Sequence, residues 1–334
     1  MKKIISILLA AIMLFSLTAC SGGDKKASGN GDEKYVIRIG TTTEPDGHYI
    51  KGLEQFKEKV AEYTDGRVEV RLYPSSQLGN ERDLIEGVSV GTVEGALISS
   101  APLSTFSQDF LLFDLPFVIT DIEAAYEFMD GEYGQEILAS LEPIGIKALG
   151  FWENGFRHVT NNTRPIEKPE DVKGLKIRTM ESPIHIASFE ELGSIPTPMA
   201  WGEVFTALQQ GTIDGQENPL MIIETNKLWE AGQKYISLTG HFYSPAIFIL
   251  NKNLFDSYPE DIKEAILKAE EEARQWEREY SQELDKELIQ VLIDNGVEVT
   301  EVNKDEWIEA LKPVYDRFEN EINQEHLKAL LENQ

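Results

Sequence analysis

After Pro259 the chain runs to Asp294 without another proline or glycine. Glu, Ala, Lys, Arg, Gln and Leu dominate this stretch, residues that cost little to place in a helix. Start signals sit at Ser257 to Asp261. At about 1.5 Å per residue a single helix here is roughly 50 Å long, deeper than one small lobe. It is therefore expected to cross between two lobes; the alternative is a pair of helices broken at a point the sequence does not mark. Length agrees with two lobes, because 334 residues exceed what one hydrophobic core usually serves, and 41% apolar residues suffice for sizeable cores.

The region before this stretch alternates strand and helix patterns. Tyr35 to Thr42 and Arg67 to Tyr73 read as strands, Ile50 to Tyr63 and Glu81 to Gly91 as helices, and Gly95 to Ile98 as a buried strand. That succession predicts an α/β sheet of parallel character. Asp121 to Leu141 is helical with a break near Gly131, and Lys147 to Phe151 is a further strand. A second unit is expected to start near a glycine turn at Gly155. It holds a strand at Leu175 to Thr179, helices at Pro183 to Leu192 and Trp201 to Gln210, a turn at Asp214 to Asn218, and an apolar return at Pro245 to Asn251.

Charge narrows the partners. There are 58 acidic against 31 basic side chains, and runs such as KAEEEARQWEREYSQELDKE read as solvated helix faces. A nucleic acid is excluded as a natural partner. At the start, Lys2 and Lys3 precede an apolar run from Ile4 to Leu17 that ends in Leu17, Thr18, Ala19 and Cys20. Residues 1–19 thus read as a secretory signal, too short for a membrane span. The LTAC sequence reads as a lipobox in which Cys20, the sole cysteine, is lipidated. Polar, glycine-containing residues 20–33 read as a flexible tether.

Catalytic signatures are missing: there is no HExxH, GxSxG, Walker loop, GxGxxG or paired CxxC. The five histidines lack metal-ligand spacing, so neither a metal nor a cofactor is expected. What the chain offers is binding chemistry. In GLKIRTMESP, Arg178 closes an apolar run, at the strand end where open α/β sheets bind ligands. A guanidinium presents paired donors that match a carboxylate and stays charged at ordinary pH. Then follow Trp201, a flat apolar ring, and Asn218 in DGQENP.

These segments, with FWENGFRHVTN around Arg157 and LYPSSQLGNERD around Glu81, resemble the solute-binding proteins of tripartite ATP-independent periplasmic (TRAP) transporters, DctP type. The resemblance extends over essentially the whole chain after residue 19. It implies a two-lobed α/β fold of the periplasmic-binding-protein type (type II-like), with the long C-terminal helix spanning both lobes. The first lobe is expected at residues 34–154 plus 243–282, the second at 155–242 plus 283–334. It also implies that Arg178 holds a ligand carboxylate with Arg157 as a second arginine, that Trp201 packs on the ligand body, that Asn218 orients the carboxylate, and that Glu81 is a polar contact. His48, Ser99 and Ser100 are candidates by position alone, and Tyr243 in GHFYSP is a further hydroxyl candidate.

Glu181, three residues after Arg178, repels a second ligand carboxylate and accepts bonds from hydroxyls. Together with Glu81 it favours a hexuronate or related sugar acid over a C4-dicarboxylate or 2-oxo acid. The expected protein is a monomeric, non-enzymatic receptor, lipid-anchored outside the cytoplasmic membrane, that closes on its acid and delivers it to TRAP membrane subunits for ion-gradient-driven uptake. A sensing subunit for a membrane kinase shares every binding residue, and a secreted sugar-acid hydrolase acting through two glutamates is the alternative of a different class.

Overall fold

The computed structural model describes residues 33–332, so the signal segment, Cys20 and all but the last residue of the tether lie outside the described residues. Nine strands form one sheet: β1 (Tyr35–Gly40), β2 (Val68–Tyr73), β3 (Gly95–Ser99), β4 (Ile146–Asn161), β5 (Lys176–Thr179), β6 (Ile195–Pro198), β7 (Gly215–Asn218), β8 (Tyr235–Asn251) and β9 (Glu298–Glu301). Their order is β2-β1-β3-β8-β4-β7-β5-β6, with β9 beside β8. At one end β1 runs parallel to β2 and β3, joined through the helices His48–Tyr63 and Glu81–Val90; at the other, β5 runs parallel to β6 and β7. Between these two parallel groups lie the antiparallel β4 and β8, which serve both lobes.

β4 is a single 16-residue strand, where the sequence pattern suggested a strand ending at Phe151 and a turn at Gly155. The glycine is absorbed as an irregularity: the register against β8 shifts between Trp152 and Gly155, and Gly155 sits at φ +120°, open to glycine and strained for other residues. Asp214 to Asn218 also departs from expectation, since Gly215–Asn218 forms β7 rather than a turn. Its polar side chains hid the strand. They are buried and satisfied by neighbours: Gln216 Nε2 donates to Thr160 Oγ1 at 2.9 Å, and Glu217 pairs with Arg157.

Glu260–Asp294 forms one unbroken helix of 35 residues. In its first half Ile262, Ile266, Ala269 and Ala273 join a core with Ile37, Leu53, Phe56, Val70 and Phe248. In its last turns Leu288 and Leu292 join another with Val204, Leu208, Ile213 and Leu220. Each buried Ile or Leu among them stabilises the fold by about 1.5–3 kcal/mol, so the helix is anchored at both ends. Its middle is tied to β4 by polar groups. Glu270 Oε1 accepts from Trp152 Nε1 at 2.8 Å, Glu277 Oε2 accepts from the Glu153 N–H at 2.9 Å, and Arg278 Nη2 donates to Phe151 O at 2.5 Å. Among the described residues no helix is long and apolar enough to cross a membrane.

Candidate functional site

A small cleft opens where the C-terminal ends of β3, β5 and β7 meet the irregular middle of β4. Its wall includes Glu81, Ser99, Arg178, Trp201 and Asn218, five residues singled out in the sequence. Glu181 lines an adjoining recess together with Asn80, Glu81, Arg178 and Trp201.

Arg178 arrives here because β5 alternates sides: Ile177 is buried in the core, and Arg178 lies in register with Thr197 of β6 and Gln216 of β7. Its Nε and Nη2 donate to the carbonyl of Met199 at 3.0 and 2.8 Å, and its guanidinium carbon lies 5.6 Å from the centre of the Trp201 ring. The carbonyl fixes the plane of the guanidinium without neutralising it. Arg178 has no carboxylate partner among the described residues. Burial lowers its pKa to about 10; the Glu217, Glu81 and Glu181 charges push it up and Arg157 pushes it down. The group remains a cation at neutral pH, only 3% exposed, facing a cavity.

Glu81 begins its helix, and its Oε1 accepts from the Ser99 N–H at 2.7 Å. Burial raises its pKa, against the bonds from Ser99 and the charges of Arg178 and Arg157. Glu81 therefore takes a proton more readily than an exposed glutamate, and its carboxyl can accept a bond or donate one. Asn218 gives an amide hydrogen to Gln216 Oε1, which steadies it at the end of β7.

Four other candidates lie elsewhere. Arg157 is fully buried in β4 and occupied by Glu217: Nε to Oε2 at 2.5 Å, and Nη2 to Oε1 at 2.9 Å and to the carbonyl at 2.7 Å. Burial alone would raise the Glu217 pKa, but Arg157 and His241 hold its carboxyl far below the usual range. His241 Nε2 is 3.5 Å from Glu217 Oε2, while its Nδ1 bonds Thr239 Oγ1 at 2.7 Å. His48 is buried behind the wall against Tyr49, with its pKa lowered to about 3 by desolvation. Ser100 is buried one residue past the wall residue Ser99. Tyr243 is buried and donates to Glu153 Oε2 at 2.9 Å instead of facing the cavity.

The wall also contains Thr42, Thr43, Tyr49, Asn154, Met180 and Ile222, which sequence reasoning did not single out. Asn154 was within reach, since it precedes the glycine of FWENGF that lets β4 deform. Thr42 and Thr43 follow directly on β1 in chain order, at a strand end. Tyr49 and Ile222 lie in the helices His48–Tyr63 and Leu220–Thr225, the first beginning two residues earlier than the sequence pattern suggested and the second not read from it. Among the described residues no group of His, Cys, Asp and Glu could hold a metal ion. The arrangement offers one uncompensated cation, neutral donors and acceptors, and an aromatic face, a combination that holds a small anion.

Comparison with known proteins follows the same line. Residues 39–321 match the family described as bacterial extracellular solute-binding protein, family 7 (DctP). The 2,3-diketo-L-gulonate-binding periplasmic protein YiaO of Escherichia coli K12 is 37% identical over 303 residues, 89% of this chain and 92% of that protein. The C4-dicarboxylate-binding periplasmic protein DctP of Rhodobacter capsulatus is 35% identical over 305 residues, 89% and 90% of the two chains. The crystal structure of a TRAP periplasmic solute-binding protein from Polaromonas sp. JS666, bound to D-erythronate, superimposes with a TM-score of 0.87 at 39% identity, covering 89% of this chain and 98% of that one.

Proposed function

The chain belongs to the bacterial extracellular solute-binding proteins of family 7, and from that premise we propose that it captures a hydroxylated monocarboxylate, a hexuronate or related sugar acid, for a TRAP transporter. The observation that carries this reading is the buried Arg178 guanidinium, held in place by a neutral carbonyl and facing a cavity walled by Trp201. The ligand carboxylate docks on Arg178 beside Asn218, and its carbon skeleton lies along Trp201. Its hydroxyls meet Glu81, Ser99, Thr42, Thr43 and Asn154. Glu81 and Glu181 line the continuation of the pocket, where a second carboxylate would be repelled.

The relatives' ligands support this class: D-erythronate and 2,3-diketo-L-gulonate are hydroxylated monocarboxylates. The Rhodobacter capsulatus relative keeps a C4-dicarboxylate as the second reading. Closure turns on β4 and β8, the strands common to both lobes, with boundaries near residues 154 and 243. The β4 irregularity between Trp152 and Gly155 supports that placement. Cys20 anchors the receptor to the outer face of the cytoplasmic membrane, where the closed form meets the membrane subunits. The protein acts as a monomer and leaves its ligand unchanged.

Calorimetric titration against D-galacturonate, D-glucuronate, D-galactonate, D-erythronate, succinate and malate tests the reading. We expect a one-to-one complex, tightest with a sugar acid, and no product after hours of incubation. Tightest binding of succinate or malate overturns the ligand class.

A further inference from the structure

At the rim of the same cleft, Asn80 and Gly202 meet across the two lobes. Asn80 precedes the helix Glu81–Val90, and Gly202 is the second residue of the helix Trp201–Gln209. The Gly202 N–H donates to Asn80 Oδ1 at 3.2 Å, between residues 122 apart in the chain. First-turn N–H groups have no partner within their own helix, so an acceptor brought from the opposite lobe satisfies one of them. The backbone N–H of Asn80 is held by Asp83 Oδ2 at 2.9 Å, which fixes the residue at its helix start.

The other side of the contact is shaped for close approach. A Cβ on Gly202 would lie 3.0 Å from Asn80 Oδ1, so the Asn80 side chain would have to give by a few tenths of an ångström and its bond to the Gly202 N–H would be disturbed. Gly202 directly follows Trp201, whose ring lines both the inner cavity and an outer recess walled by Asn80, Ser76 and Glu44. Fixing Gly202 therefore fixes the aromatic wall over the bound acid.

We infer that Asn80 is a latch, a positioning residue that bonds the helix carrying Trp201 when the lobes close and so sets how long the acid stays bound. The inference rests on reading the cleft as that of a closing receptor. A bond made only in the closed form multiplies the closed-to-open ratio, and a neutral hydrogen bond of this kind changes that ratio about two- to tenfold. The latch acts on the lobes, so the factor is the same for every acid. A direct ligand contact would give factors that differ from acid to acid.

Stopped-flow release from the full chain, with D-galacturonate, D-erythronate and succinate as probes, separates the two. Asn80→Ala is expected to speed release about two- to tenfold, by one common factor for each acid the parent binds. An unchanged rate in Asn80→Ala, or factors that differ between acids, overturns the latch. If the parent binds no acid of the titration panel, the proposed function fails instead. The latch is then read in the unliganded protein from spin labels at Glu54→Cys and Glu190→Cys in a Cys20→Ser background. A shift to longer distances in Asn80→Ala supports it, and an unchanged distribution overturns it.

Discussion

Two buried arginines stand on nearby strands of one sheet, and they serve opposite ends. Arg157 on β4 has a carboxylate wrapped against it: Glu217 takes two of its nitrogens, and His241 closes the far side. Arg178 on β5 has only a backbone carbonyl and the edge of a cavity. Burial is common to both, so burial is not what distinguishes a binding group from a structural one. The missing counter-charge is. A cation that the fold leaves without an anion is poised to take one from solution, whereas one already paired contributes to the framework.

The largest expected effect breaks the comparison on the open side. Arg178→Ala removes two or more charge-assisted bonds to the ligand, each contributing about 1.5–3 kcal/mol, and should weaken binding by about a thousandfold or more in titration calorimetry. The melting temperature of the unliganded protein should stay level or rise, because an uncompensated buried cation has been removed. Retained affinity would mean that Arg157, not Arg178, carries the anchor.

Next comes the closed side. Glu217→Gln leaves Arg157 buried without its anion and should cost about 3–5 kcal/mol in urea unfolding. The Glu217 pKa lies below its unfolded value, so its contribution is complete above about pH 4.5 and is lost as the pH falls below that. The parent should therefore lose stability on acidification below pH 4.5, and Glu217→Gln should lose less over the same interval. A variant of parental stability would show that the pair is not structural.

The smallest effect tests a buried charge of the other sign. Glu153 lies on β4 with its N–H bonded to Glu277 of the long helix, and burial raises its pKa to about 7, opposed by bonds from Tyr126 and Tyr243 and by the Arg278 charge. The native state keeps this proton to about pH 7 while the unfolded chain releases it near 4.5. Stability is then highest below pH 4.5 on this group's account and falls as the pH rises through 7, by up to about 3 kcal/mol. Glu153→Gln should flatten the melting temperature between pH 5 and 8. An unchanged slope would mean that Glu153 is ionised throughout, its charge held by the Tyr126 and Tyr243 hydroxyls and the Arg278 charge.

The contrast between the arginines also marks how far the sequence could be read. Local signals carried the elements well: the long helix, the β1 to β3 succession and the strand that holds Arg178 all lie where periodicity and breakers put them. Arg178, Trp201, Asn218, Glu81 and Ser99 were placed on one cavity because each falls at an element's end on the side where the sheet opens. The pairing of Arg157 with Glu217 was not legible because the partner is sixty residues on, in a segment whose polarity looked like a turn. Strand β7 is held by backbone pairing with β4 and β5, and pairing at that range leaves no periodic trace in either strand. For the same reason Gly155 looked like a boundary, although it is the residue that lets one strand continue past one.

The long helix has a further consequence, in the timing of folding. One core needs Phe248 and Ile262 to Ala273 to close over residues from 37 onward, and another needs Leu288, Leu292 and Val297. Neither core closes before its part of the long helix has been made. Contacts of such long sequence separation also form slowly. A polypeptide that emerges from the ribosome in this order stays unfinished until its last quarter appears, and a chain bound for the far side of a membrane must remain threadable for that long.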